Sequence, residues 1–432
     1  MAAHVFTGFG FGPIQAGLLV KEAFQSGNFT RIIVAEIDQE LVDAVRANHG
    51  SYYVNVAKAD GIKVLRLDNV ELLNPNVAEN NQILRRVLTE STEITTCLPS
   101  IDFYDSDEGS SVASLIADGL KNSKAIATII YTAENNNHAA EILQQAVSKR
   151  TGTPLRETVQ FLNTVIGKMS RVVSDPSEIA ERKLATLAPG IKRAFLVEEF
   201  NRILVSRTRI SNFEPGIEVF IEKDDLLPFE EAKLYGHNAI HALLGFIGAA
   251  KGYAKMTELA DDQSIMQIAE AAFLQESGAA LIKKYAYLAD DLFTEAGYRD
   301  YAGDLLGRMT NPYLADRVAR VSRNVVRKLG LNERIFGTMQ LALEYGIKPT
   351  NMALGAMAGV AMLLEMPDEN NLPAYLRFGD WRKLDDTRIE KIISWLWAGQ
   401  TCKYAEQIIR YVQNAQKHVK ELIDDFVDYT DF

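Results

Sequence analysis

The chain has 432 residues, 47% of them hydrophobic and 24% charged, with a net charge of -11. That is the composition of a globular protein too long for one ordinary core, so two domains are expected. The acidic balance and the lack of any long basic stripe disfavour nucleic acid and anionic membrane surfaces as partners, while a local basic pocket stays compatible with an anionic substrate. Two cysteines, Cys97 and Cys402, give neither a disulfide framework nor zinc spacing, which fits a reducing compartment. The start leads directly into a strand without a basic n-region or cleavage site, so no signal peptide is expected and the cytoplasm is the expected location. The most apolar run, residues 352–364, falls short of the roughly 20 residues that a bilayer span needs. With Gly355 and Gly359 inside it, it reads as a buried core helix.

In chain order, Val5-Phe-Thr is a strand, residues 8–12 a glycine turn, and residues 14–24 an amphipathic helix whose first turn accepts Pro13. Residues 31–36 form a β-branched buried strand, and Asp38 caps a helix over 39–47. Strands over 94–98 and 125–131 flank a helix over 110–120, and this alternation predicts a parallel sheet. Residues 194–197 and 202–205 are read as further strands of the same sheet. From residue 229 the period is helical: 229–250, 264–286, 289–307, 312–329, 333–345, 350–364 and 386–426. The expected class is α/β plus all-α, with an N-terminal domain over 1–225 and a helical domain over 226–432.

Gly10-Phe11-Gly12-Pro13-Ile14-Gln15-Ala-Gly17 joins the first strand to the first helix. Such turns hold a pyrophosphate because glycine lets the backbone approach and the helix N-terminus offers N–H groups and a positive dipole end. Gln15 stands where the usual fingerprint has its third glycine. Glu36 ends the second strand, placed to accept hydrogen bonds from a ribose diol and to repel a 2'-phosphate. NAD is therefore expected rather than NADP.

Lys233-Leu-Tyr-Gly-His237-Asn238-Ala-Ile-His241 puts a possible base and several donors on one arc of a helix. At about 100° per residue, Lys233, His237, His241 and Asn238 stand near 0°, 40°, 80° and 140°. A solvated polar face is the competing reading.

These pieces together resemble the polyol-specific long-chain dehydrogenases. Their helix pattern K-x-x-x-x-N-x-x-H is met by Lys233, Asn238 and His241, and Ala133-Glu134-Asn135 is similar to their C-E-N segment. Residues 275–285, 307–314 and 320–329 are similar to further family segments, and the similarity runs from residue 5 to about 365. The resemblance implies a Rossmann-type NAD-binding domain joined to a mainly helical domain, an active site between them, and no metal. It implies Lys233 as general base, with Asn238, His241 and Asn135 as hydrogen-bond donors to the substrate oxygen. Glu134 is a proton relay or a helix start. His237 stands where the family is usually apolar.

Arg323, Arg327 and Lys328 are expected on one helix, with Arg323 and Arg327 sharing a face that suits a phosphate dianion. Arg308 and Asn311 would hold substrate hydroxyls or assist with the phosphate. The expected activity is NAD-dependent, reversible oxidation of a sugar-alcohol phosphate, mannitol 1-phosphate to fructose 6-phosphate foremost, by a monomer or small homo-oligomer. The alternatives are a dehydrogenase of free polyols or a hexuronate reductase, and a non-catalytic NAD sensor. Residues 366–432 lie outside the resemblance and could shield the site or form an oligomer contact.

Overall fold

A computed structural model describes residues 4–106 and 109–424. The chain divides into two compact units, Met1–Phe229 and Glu230–Phe432.

Among the described residues the first unit carries twelve strands: β1 (His4–Phe9), β2 (Phe29–Ala35), β3 (Tyr52–Ala57), β4 (Ile62–Leu67), β5 (Val70–Leu73), β6 (Glu93–Thr96), β7 (Thr128–Thr132), β8 (Val159–Ile166), β9 (Ser170–Val173), β10 (Ala194–Glu198), β11 (Ile203–Ser206) and β12 (Phe220–Lys223). Eight form a sheet in the order β12-β11-β8-β7-β6-β1-β2-β5. Every neighbouring pair in it is parallel except β8 with β11. The unit's helices are α1 (Val20–Ser26), α2 (Gln39–Ala47), α3 (Ala78–Leu88), α4 (Val112–Lys121), α5 (Ala139–Thr151) and α6 (Pro176–Glu181). One sheet face buries Ile33, Ile94 and Ile130 against Leu84, Leu115, Ile116 and Leu143 of α3 to α5. The other buries Ile32 and Val34 beneath Leu18, Leu19 and a second sheet. This is the Rossmann-like, doubly covered parallel arrangement.

The second sheet, β4-β3-β10-β9, corrects the expectation that residues 194–197 extend the main sheet. An apolar run specifies burial and leaves the partner strand open. Here a polar residue helps choose it: buried Asn55 of β3 donates to the carbonyls of Phe195 and Ala185 and accepts from the Ala185 N–H. Residues 202–205 do join the main sheet, antiparallel to β8.

Helix α7 (Leu227–Glu231) spans the division, and the second unit is helical: α8 (Ala239–Ala250), α9 (Gln263–Ala271), α10 (Ala279–Tyr285), α11 (Glu295–Met309), α12 (Val318–Ser322), α13 (Val325–Lys328), α14 (Arg334–Glu344), α15 (Thr350–Glu365), α16 (Asp386–Leu396) and α17 (Ala405–Asp424). Helix α15 is its axis, buried from Met352 to Leu364 except for half-buried Leu354. Its glycines admit neighbours: a Cβ on Gly359 would lie 2.8 Å from Leu329, and one on Gly355 would lie 3.0 Å from Leu243 of α8. The described part of the C-terminal segment packs inside this unit. Ile408, Val412, Ala415 and Val419 of α17 are buried, and the Trp381 indole donates to Glu365 of α15. No helix among the described residues is long and apolar enough to cross a membrane.

Two helices expected as continuous are broken. Residues 312–329 divide at Asn324, whose φ of 59° is left-handed, and Arg323 before it is extended with ψ of 162°. Residues 386–426 divide at Ala398 and Gly399, with φ of 51° and 76°; the last two of that stretch lie outside the described residues. Periodicity cannot register one residue of reversed φ between two apolar faces.

Among the described residues three π-helical segments interrupt the α-helices: Gln15–Leu19, Ala232–Asn238 and Ala272–Gly278. The last holds Glu276, whose buried carboxylate accepts from the backbone N–H groups of Asn351 and Met352 at 2.6 and 2.9 Å and from the Asn351 side chain at 2.8 Å. It thereby caps α15. Glu276→Ala is expected to destabilise the protein by about 1–3 kcal/mol, read as a lower urea midpoint, because three buried donors lose their acceptor.

Candidate active site

In the first unit the turn after β1 is shaped by its glycines. Gly10 has a φ of 81°, and a Cβ on it would lie 2.7 Å from the Cys97 carbonyl. Gly12 faces open space, with nothing within 4 Å of a Cβ. Pro13 and Ile14 begin the helix, so its N-terminus points out of this turn. Phe11 is buried and packs edge-on against Tyr52 at 4.9 Å between ring centroids. Glu36 binds the turn itself: it accepts from the Phe11 N–H at 2.7 Å and from the Asp38 N–H at 2.9 Å. Each carboxylate oxygen retains a lone pair for a ribose hydroxyl. An open glycine, a helix N-terminus and a terminal carboxylate together fit a dinucleotide.

Gln15 has a distinct explanation. Its side chain is buried, and its amide nitrogen donates to Thr95 Oγ1 at 2.7 Å. That nitrogen lies 1.9 Å from where a Cβ on Gly8 would stand. The glutamine thus occupies room that a strand glycine leaves, and a π segment begins at Gln15.

Glu134 and Asn135 follow β7. Asn135 is exposed. Glu134 is buried and accepts from Tyr104 Oη, from Thr96 Oγ1 at 2.9 Å and from the Leu98 N–H at 2.8 Å. Burial raises its pKa while the three donors oppose the rise. Such fixed donors describe a clamp across the ends of β6 and β7, and Glu134 does not begin a helix, since α5 starts at Ala139.

In the second unit Lys233, His237 and Asn238 lie on the π segment, and His241 lies in the first turn of α8. This alters the expected angles. In an α-helix Asn238 would stand about 140° around from Lys233; an i→i+5 repeat brings residues five apart close to one line. Neighbours fix the segment. Glu231, just before it, accepts from Lys284 Nζ at 2.7 Å and Tyr285 Oη at 2.5 Å. A Cβ on Gly236 would lie 2.8 Å from Tyr298 Oη. The Thr338 hydroxyl of α14 donates to the Tyr235 carbonyl at 3.1 Å.

Burial and then the Arg334 charge lower Lys233 to a pKa of about 8, against a smaller opposing pull from Glu230. Burial, followed by the nearby His241, holds His237 well below the usual imidazole range. Burial also lowers His241, to about 4, although Asp316 opposes it. Both imidazoles are therefore neutral at pH 7. The rings stand 6.1 Å apart, and His241 Nε2 is a buried atom without a hydrogen-bond partner among the described residues.

The basic residues do not share one helix face as expected, since Asn324 separates Arg323 from Arg327 and both are exposed. Lys328 is buried, its amine donating to the Val321 carbonyl. Burial, with Arg334, Arg327, Arg323 and Arg320 around it, lowers Lys328 to about 7. Arg320 pairs with buried Asp316, and Arg308 with Asp304 at 2.9 Å. Asn311 accepts from the Tyr313 N–H at 2.7 Å, within its own turn. Sequence reasoning missed Arg334, which touches most of this cluster electrostatically; the signal was a basic residue opening a helix, where the dipole disfavours one.

Residues 225–393 match the model of the mannitol dehydrogenase C-terminal domain. Mannitol-1-phosphate 5-dehydrogenase of Buchnera aphidicola subsp. Acyrthosiphon pisum (strain Tuc7) is 26% identical over 358 residues, 81% of this chain and 84% of the relative. The enzyme of the same name from Halalkalibacterium halodurans is 26% identical over 84% of this chain and 89% of its own. Among solved structures, a substrate-free D-sorbitol dehydrogenase superposes with a TM-score of 0.75 at 15% identity, covering 98% of this chain and 94% of that one. Mannitol 2-dehydrogenase of Pseudomonas fluorescens, solved with NAD and D-mannitol, gives a TM-score of 0.71 at 16% identity, covering 99% and 95%. The relatives and structural neighbours are thus polyol dehydrogenases, which are oxidoreductases, and the fold is theirs.

The clamp reading of Glu134 has its own check. Glu134→Gln turns one acceptor into a donor that faces two hydroxyls, and is expected to destabilise the protein by about 1–3 kcal/mol in denaturant titration. A relay role would instead move the pH profile of turnover.

Proposed function

We propose that this chain is a cytoplasmic NAD-dependent dehydrogenase that interconverts a sugar-alcohol phosphate and the corresponding ketose phosphate, with mannitol 1-phosphate and fructose 6-phosphate as the first pair to test. The observation that supports the reading is buried Lys233, an amine lowered to about 8, on the same π segment as Asn238 and followed by His241 in the first turn of α8, all inside the matched residues. Gly10, Gly12, the first turn of the helix and Glu36 would hold the dinucleotide. NAD bound there supplies the acceptor for the hydride that leaves the alcohol carbon.

The chain's own residues manage the proton. Neutral Lys233 Nζ takes it from the substrate hydroxyl, and in the reverse direction the ammonium returns it to the ketone oxygen. Asn238 and the neutral His241 donate hydrogen bonds to that oxygen as it gains negative charge. Preference for a phosphate ester rests on the crowd of cations around Lys328, with the names of the curated relatives in support.

The deciding experiment follows NADH absorbance with fructose 6-phosphate, fructose, fructuronate and the corresponding alcohols. Turnover confined to unphosphorylated sugars would overturn the phosphate assignment, and NAD binding without turnover on any of them would overturn the enzymatic one. Lys233→Met is expected to lower kcat by about 10²–10⁴-fold. Because the amine loses its proton as pH rises through about 8, alcohol oxidation should climb to that pH and level off above it. Ketone reduction needs the ammonium and should fall over the same range. Gly12→Val should fold normally, since nothing lies near that Cβ, yet lose dinucleotide affinity in a fluorescence titration.

A further inference from the structure

Arg334 opens α14, on the end of the helix where the dipole is positive. Its side chain is only 15% exposed. Among the described residues its ion-pair partner is Glu333, 2.9 Å from one guanidinium nitrogen, and that carboxylate is itself 37% exposed. A guanidinium has five N–H donors, so this contact leaves most of them available. Arg334 is also the one charge that acts on all of Lys233, His237, His241 and Lys328.

Its place is fixed by packing. Thr338, one turn further along α14, donates to the Tyr235 carbonyl, and a Cβ on Gly337 would lie 2.6 Å from the Tyr235 ring. The first turn of α14 is therefore held against the segment that carries Lys233. Two features of the cluster call for an anion. Lys328, buried, and Arg334, 15% exposed, stand among the charges of Arg327, Arg323 and Arg320, and positive charge held in this way favours a counter-charge. The buried His241 Nε2 also lacks a partner, as though a ligand atom completes the site.

We propose that Arg334 is the specificity-determining residue of this enzyme, anchoring the phosphate of its substrate with Lys328 and Arg327 beside it. The inference rests on the sugar-phosphate reading above and adds the side chain that enforces it. A planar guanidinium matches two phosphate oxygens at once, and the dianion supplies the charge that the cluster lacks.

The test uses the full chain and the variants Arg334→Met and Arg334→Lys. Steady-state reduction of fructose 6-phosphate and of fructose is followed through NADH, and thermal melts are run with and without inorganic phosphate. Arg334→Met should raise KM for fructose 6-phosphate about 100-fold, with a far smaller change in kcat/KM for fructose, and Arg334→Lys should recover part of the loss. Inorganic phosphate should raise the Tm of the wild type and not that of Arg334→Met. Equal losses on both sugars, or phosphate stabilisation that survives in Arg334→Met, would overturn the assignment. A wild type that reduces no phosphate ester would defeat the proposed function separately, because the melts judge the anchor without turnover.

Discussion

Positive charge held away from water is the constraint on which the chemistry of the helical unit depends. An amine in water stays protonated far above neutral pH and is useless as a base. Burial and the neighbouring arginine bring Lys233 down to about 8, and similar surroundings bring Lys328 to about 7. Such crowding is unfavourable until a negative ligand arrives. On the proposed reading, the same cations that weaken each other's hold on protons would also receive the anion, so recognition and base strength would share one origin.

The backbone answers this demand through irregular helix. Each π segment shifts the helical phase, and each lies within a stretch that carried a motif: the glycine turn, the lysine helix and the segment holding Glu276. Inserted turns of this kind occur often at functional sites. Here the segment at 232–238 draws Asn238 toward the line of Lys233, and Tyr285, Tyr298 and Thr338 hold the segment and the residue before it from neighbouring helices. An unstrained α-helix would have left the amide on another side.

The sequence made the broad plan legible because that plan rests on local signals. The glycine turn, the carboxylate at the end of β2 and the change from alternating strands to helices all lie in short windows. Lys233, Asn238 and His241 stand out by their match to a family helix pattern, and the structure puts the first two on one π segment and the third in the first turn of α8. Non-local choices were not. The second sheet depends on Asn55 reaching across to β10, and no window contains both. The break at Asn324 is one residue of reversed φ inside an apolar period. For Glu134 the sequence left a proton relay and a helix start open, and its contacts with Thr96, Leu98 and Tyr104 are long-range ones that no local window contains. Arg334 lay outside every recognised segment, and its importance comes from what folds around it.

The glutamine at position 15 has a consequence for how this chain can diverge. Its amide fills the hollow that Gly8 leaves in β1, so neither site is independent of the other. A methyl group added at 8 would expel the glutamine, and glycine restored at 15 would open a void beside Thr95. Lineages descended from this one should therefore exchange the two residues jointly or keep both, which makes the pair a heritable marker of the branch.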